Sequence, residues 1–232
     1  MDKTVVSLRR YPVKSMGGES LESVEVEVRG FSGDRAFAVS DSDGRLASGK
    51  NTRRMVRRDG VFGFSARTAE SAVRVSDGRA EWSVGDTALD ARLTEALKAE
   101  VRVSAEQTVS HFDEGPVSVV GSATLEWCAR ELGVDADPRR LRVNMVVETS
   151  EPFEEETWSG DVVVGGAILR PVGRLGRCRT IDLVQDGVEQ TTRWLKALGD
   201  TRDACVAIYC DVVAPGTIRI GDPVRSPVTS AP

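Results

Sequence analysis

The chain has a single histidine, His111, in 232 residues. Most Ser-His and Cys-His hydrolase chemistry and every His-rich metal site are thereby removed, because one imidazole would have to do everything. Its neighbours Phe112, Asp113 and Glu114 suggest a loop, where a solvent-facing or capping role is expected. Cysteine is also sparse. Cys128, Cys178, Cys205 and Cys210 are irregularly spaced in a chain long enough to bury its own core, so free thiols in a reducing compartment are expected rather than a disulfide framework. Cys205 and Cys210 differ by an odd number and face apart on a regular strand, and no C-x2-C follows them, which argues against a zinc or iron–sulfur site. Met1 to Ser20 hold no apolar stretch of signal-peptide length and no later run could span a bilayer, so a cytoplasmic protein without a membrane partner is expected. With 31 Lys+Arg against 36 Asp+Glu, the net charge is −5. Nucleic acid is not an expected partner, and any anion must be held by a local cluster.

What is present is mostly strand-like. Leu21, Val24, Val26 and Val28 approximate a period of two before Gly30, and Ala72–Ser76 and Ala80–Val84 flank an Asp77-Gly78 turn suited to a hairpin. Further strands are expected at Leu141–Val147, Asp161–Pro171, Ala204–Val213 and Thr217–Ile220. Three helices stand out. Thr87–Ala99 spaces Leu89, Leu93 and Leu97 by four, Ser122–Leu132 opens on a Ser cap with Glu126 behind it, and Val188–Leu198 aligns Val188, Thr192, Leu195 and Leu198. Cys128 falls in register with Leu125 and Leu132 and reads as core. The fold class is therefore mainly β with a few helices: barrel-like sheets under short helical covers. A soft boundary falls between 104 and 116, and the tail from Arg225 to Pro232 has too little apolar content to pack.

Cys178 carries the most chemistry. It stands between two arginines in Gly176-Arg177-Cys178-Arg179-Thr180, and fixed positive charge biases a thiol toward thiolate, a nucleophile or a metal ligand. Tyr11-Pro-Val-Lys14-Ser15-Met-Gly17-Gly18 offers an ammonium, a hydroxyl and two backbone N–H groups to an oxyanion, although its order is not that of a Walker loop. Arg35, beginning a strand, could aim a planar donor fork at an anion or pair with a nearby carboxylate. Arg142 and Asn144, two apart, would share a strand face.

Taken in order, Tyr11-Pro-Val-Lys-Ser, Gly33-Asp-Arg, Asp43-Gly-Arg, Pro116-Val-Ser-Val-Val with Ser122-Ala-Thr-Leu, Arg142-Val-Asn, Phe153-Glu-Glu-Glu-Thr-Trp158 and Arg177-Cys178 resemble the MOSC-domain proteins. That family includes the amidoxime-reducing component and the carboxyl-terminal part of molybdenum cofactor sulfurases. The resemblance implies an N-terminal β-barrel module over 1–110, a MOSC β-barrel over 111–224 and a flexible tail over 225–232. It also implies molybdenum cofactor (molybdopterin), with Lys14, Ser15, Arg35, Ser122, Arg142 and Asn144 binding it and Cys178 as both catalytic residue and ligand to molybdenum. A soft thiolate beside an anion cradle is what such a phosphorylated, metal-bearing group needs.

The implied function is reduction of N-hydroxylated, or related N- or S-oxygenated, small molecules. Asp182 would support the loop or relay protons. No ferredoxin-like segment follows the barrel, so a separate electron donor, whether ferredoxin, flavin reductase or cytochrome, is expected. The alternative is a carrier that hands on cofactor, or sulfur as a Cys178 persulfide, and a third option is a barrel that has lost its cofactor. The family often has Arg-Pro-Asn where this chain has Arg142-Val143-Asn144. After the thiol, Thr-Val-Asp-Pro is replaced by Thr180-Ile181-Asp182-Leu183.

Overall fold

The computed structural model describes residues 3–70, 72–189 and 193–226. In chain order the first part holds β1 (Lys3–Arg10), β2 (Glu19–Leu21), β3 (Ser23–Glu27), β4 (Gly30–Phe31), β5 (Phe37–Asp41), β6 (Leu46–Ser48) and β7 (Met55–Arg57). Then come β8 (Ser65–Ala69), β9 (Ala72–Ser76), β10 (Glu81–Ser83), α1 (Thr87–Leu97) and β11 (Val101–Ala105). The remainder is β12 (Val117–Gly121), α2 (Ser122–Leu132), α3 (Pro138–Leu141), β13 (Met145–Val147), β14 (Val162–Val164) and β15 (Ala167–Gly176). It ends with α4 (Trp194–Arg202), β16 (Cys205–Ala214), β17 (Gly216–Arg219) and β18 (Pro223–Arg225). The fold is mainly β with few helices, as its alternating and turn-punctuated sequence requires.

Seven strands close into a barrel in the order β13-β12-β16-β15-β14-β18-β1, because β1 pairs with β18 on one side and β13 on the other. The first strand of the chain therefore completes a barrel whose other strands lie between Val117 and Arg225. Closure leaves no unpaired strand edge in the ring. Inward positions two apart, such as Val117 and Val119, Met145 and Val147, and Val162 and Val164, fill the interior with Leu8, Leu169 and Ile208. A second core lies between the sheets β11-β5-β6-β7 and β10-β9-β8, where α1 lays Leu89, Leu93 and Leu97 against Phe62, Phe64 and Val75. A third joins α2 and α4 to the outside of β16 through Cys128, Trp194, Leu198 and Val206.

Several local expectations are corrected. Ser122 is the first residue of α2 rather than its cap; the cap position is Gly121, and the Ser122 hydroxyl accepts the backbone N–H of Thr149 at 3.2 Å. The stretch 141–147 is strand only from Met145, because Arg142 takes a left-handed conformation (φ 51°) that ends α3 and turns the chain. The expected strand 161–171 is a hairpin over Gly165-Gly166, β14 against β15. Asp77-Gly78 opens a four-residue loop instead of a two-residue turn, with the Asp77 carboxylate accepting from the N–H groups of Arg79 and Ala80, both at 3.0 Å. The fourth helix begins at Trp194, and Val188 is in a bridge with Gln185. Thr192 and residues 227–232 lie outside the described residues.

Candidate functional site

A cavity of about 330 Å3 lies where the barrel meets the N-terminal sheets, and Lys14, Ser15, Arg35, Arg142, Asn144 and Cys178 all line it. Its volume is at the small end of the range of about 300–1,000 Å3 usual for ligand sites. Lys14 and Ser15 come from the loop after β1, and Arg35 precedes β5. Arg142 and Asn144 come from the turn between α3 and β13, and Cys178 from the turn after β15. Ser15 (φ 69°), Arg35 (φ 50°) and Arg142 (φ 51°) are left-handed residues with side chains. Each such conformation costs on the order of 1 kcal/mol and persists only where its surroundings over-determine it.

Ser122 is not on this cavity. Asp182 is also absent from the wall, and its carboxylate accepts the N–H of Leu195 at 3.3 Å, which ties the turn after Cys178 to α4. The two glycines do not offer free N–H groups as the sequence suggested: Gly17 N–H is spent on the Phe64 carbonyl at 2.8 Å and Gly18 N–H on Asp186 at 3.1 Å. His111 is buried, not solvent-facing, with its Nδ1 on the Arg35 carbonyl at 2.9 Å, and burial holds its pKa below the ordinary value.

The cavity wall is cationic. Lys14 is 4% exposed, its Nζ donating to the His111 carbonyl at 2.7 Å and to Asp113 at 2.8 Å. Burial lowers its pKa to about 8 against the pull of Asp113. Asp113 is itself held below the ordinary carboxylate range: burial opposes its ionisation, but Lys14 and Lys50 outweigh it. Ser15 Oγ donates to the Ala47 carbonyl at 3.0 Å. Burial works against the Arg35 charge, yet its ion pair with Asp34 more than offsets this. Asn144 locks that corner, donating to Asp34 at 3.1 Å and accepting from the Ser118 hydroxyl at 2.9 Å.

Two guanidinia differ from the rest. Arg142 donates to the Met16 carbonyl at 2.8 Å and lies 4.4 Å from the centre of the Tyr11 ring. Arg177 donates to the carbonyls of Leu141 at 2.7 Å and Val206 at 3.0 Å. Neither has a carboxylate partner among the described residues, and burial lowers both pKa values, that of Arg177 to about 10. Even half-buried, a cation without a counter-ion gives up part of its hydration, and two of them on one cavity wall suit an anion.

The half-buried Cys178 thiol donates to Thr180 Oγ1 at 3.3 Å. Arg179 is turned away to Asp59, making two N–H···O contacts at 2.8 and 2.9 Å. Lys50, Arg140 and Tyr209 also line the cavity without any role given them by the sequence, and so does Arg177, which the sequence marked only as a charge flanking Cys178. A signal existed for Lys50 in the density of cations from 50 to 58. Arg140 had none, since its partners Asp135, Ile181 and Leu183 are visible only in the fold.

The MOSC domain model matches residues 106–225 and the MOSC N-terminal beta barrel domain residues 2–135. The chain belongs to the MOSC domain family. Mitochondrial amidoxime reducing component 2 of Bos taurus is 24% identical to this MOSC protein over 281 aligned positions, covering 95% of this chain and 82% of that one. A molybdenum cofactor sulfurase of Danio rerio is 32% identical over 68 residues, 29% of this chain and 8% of that protein, so the chain matches only a small part of that relative. Among solved structures, the YUAD protein of Bacillus subtilis superposes with a TM-score of 0.55 at 14% identity, covering 97% and 94% of the two chains, which shows a shared fold.

Proposed function

We propose that this MOSC protein binds molybdenum cofactor in the cavity and reduces N-hydroxylated or related N- or S-oxygenated small molecules. The observation that carries the reading is one cavity wall holding both the Cys178 thiol and the half-buried guanidinia of Arg142 and Arg177, which have no carboxylate partner among the described residues. The donor set suits the group: guanidinium forks and an ammonium for a phosphate, and a soft sulfur for molybdenum. Among the described residues no three His, Cys, Asp or Glu side chains gather around a point, so Cys178 would be the sole protein ligand of a metal brought in by its cofactor.

Cys178 would ligate the metal, with Thr180 Oγ1 orienting the sulfur. Lys14, Ser15, Arg35, Arg142 and Arg177 would grip the anionic end, and Asn144 would hold the Asp34–Arg35 corner in shape. The cofactor supplies two-electron oxygen-atom chemistry at molybdenum. Lys14 Nζ keeps its proton at neutral pH, given a pKa of about 8, and so keeps the cation that a phosphate needs. Electrons come from a separate carrier, a ferredoxin, flavin reductase or cytochrome.

The likeness to a sulfurase supports a second reading, in which the half-buried Cys178 carries a persulfide. Molybdenum per protein, measured by mass spectrometry on wild type and Cys178→Ala purified from a cofactor-producing host, separates the two. Near-stoichiometric metal that falls sharply in the variant is the expected result. No metal in either, with a persulfide mass on Cys178, sinks the reductase and favours the carrier.

A further inference from the structure

The proposed reductase requires electrons from outside, and the surface beside the cavity bears on where they enter. Five cations fall within nine residues, Lys50, Arg53, Arg54, Arg57 and Arg58, with no acidic residue among them. The segment follows β6 and contains the edge strand β7. It joins the site at two points: Lys50 lines the cavity, and Arg179, next to Cys178, donates to the Gly49 carbonyl at 3.1 Å and to Asp59. Compensation is incomplete. Arg57 and Arg179 share Asp59, Lys50 shares Asp113 with Lys14, Arg58 shares Asp41 with Arg45, and exposed Arg53 has no ion pair among the described residues. A cationic rim thus stands on a chain of net charge −5.

We propose that this rim is the docking surface for a small acidic protein that carries one electron at a time; this rests on the reductase reading above. Electron-transfer encounters are small, below about 1,200 Å2, and are steered by charge rather than held by apolar burial. A single basic segment at a cavity mouth suits that encounter. Five cations on a chain of net charge −5 are a small footprint for nucleic acid, where a protein making roughly 6–10 phosphate contacts is common, so the acidic protein is the better fit. Two successive one-electron deliveries and two protons from solvent convert one N–OH to N–H and one water.

The test uses a plant-type [2Fe–2S] ferredoxin as acidic probe, with the purified full chain as wild type, Arg53→Glu/Arg57→Glu and Arg53→Gln/Arg57→Gln, each checked by melting temperature. Binding is measured at about 0.01 and 0.1 M salt, where the screening length falls from about 30 to 10 Å. Wild type should bind at low salt and weaken about tenfold at high salt. The glutamate pair should lose at least about tenfold at low salt and most of its salt dependence, with the glutamine pair between. Ferredoxin-driven turnover should fall in parallel while dithionite-driven turnover is kept. Unchanged binding in both variants, no binding by wild type, or an oligonucleotide bound in place of ferredoxin overturns the proposal. Absence of molybdenum from a wild type that still binds ferredoxin through this rim would instead fault the reductase reading alone.

Discussion

Arg140 and Asp135 form an ion pair, Nε to Oδ2 at 2.6 Å, in which the arginine side chain is wholly removed from water. The same guanidinium donates to the carbonyls of Ile181 and Leu183, and Asp135 accepts the Trp194 indole N–H at 2.8 Å. The turn that follows Cys178 is therefore fixed from beneath by α3 and from the side by α4. Arg140→Met should destabilise the protein by about 2–3 kcal/mol in urea unfolding, under the usual 3–5 for a broken buried pair because Asp135 keeps some contact with water. Iodoacetamide should also alkylate Cys178 faster in the variant, since a loosened turn exposes its sulfur.

The thiols should separate cleanly in the native protein. Burial pushes Cys128 and Cys210 up to about 12, whereas Cys178 and Cys205 are half-buried. Reaction requires an accessible thiolate. Peptide mapping after brief alkylation at about pH 8 should find label on Cys178 and Cys205 and almost none on the other two; equal labelling of all four would contradict both the helical cover over Cys128 and the closed barrel interior that holds Cys210.

How the sequence relates to the site follows from the range of each interaction. Cys178, Lys14, Arg35 and Arg142 could be singled out by residue type and immediate neighbours, and they line one cavity, although Arg142 stands in a left-handed turn and not on the strand face expected of it. The glycine N–H groups of Gly17 and Gly18 were not legible, because what consumes them, Phe64 and Asp186, lies far along the chain. His111 looked like loop surface, and its burial comes from packing beneath Arg35, 76 residues away. Ser122 matched a motif, but the helix it begins directs its hydroxyl to Thr149 rather than to the cavity. The strands were legible by period, while closure of the barrel by β1 was not, since pairing with Met145 and Val147 has no local signature.

Lys14 gives the site a pH dependence whose sign can be stated. Its pKa falls from 10.5 to about 8 on folding because burial disfavours the charge. Between those values the unfolded chain holds the proton that the folded chain has lost, so this group makes stability rise with pH across that window and weighs on the fold below it. Anion binding goes the other way, because the neutral amine no longer attracts phosphate. Pyrophosphate affinity by calorimetry should drop as pH rises through about 8, and Lys14→Met should flatten that step; a step that survives in the variant would assign it elsewhere.

Gly49 marks a close approach between the N-terminal sheets and the Cys178 turn. A β-carbon there would overlap Thr180 Oγ1, the acceptor of the Cys178 thiol, while meeting Leu183 and Phe62 in ordinary contact at 3.5 Å. Gly49→Ala should cost about 1–3 kcal/mol as overpacking. It should also alter Cys178 reactivity, which Gly44→Ala, with no neighbour in reach of its β-carbon, should leave unchanged.

Arg142 provides the sharpest separation of stability from ligand binding. Its guanidinium is half-buried with no carboxylate partner among the described residues, it shares the cavity with Arg35 and Arg177, and its backbone is held at φ 51°. For the cofactor-free protein that charge is a burden, offset in part by the Met16 carbonyl and the Tyr11 ring. Sites that bind ligands commonly keep such unfavourable groups at the expense of stability. Arg142→Met retains most of the side-chain volume and removes the charge, so cofactor-free protein should melt no more than about 2 °C lower, or higher, a shift of under roughly 1 kcal/mol for a chain of this size. Molybdenum content from a cofactor-producing host should nevertheless fall at least about tenfold, equivalent to 1.4 kcal/mol of lost binding. Ser122→Ala, off the cavity, should leave the metal content at the wild-type level. If Arg142→Met instead unfolds the protein, the guanidinium is a structural element of the wall; if it keeps its metal, the anion is held by Arg177 and Lys14 without it.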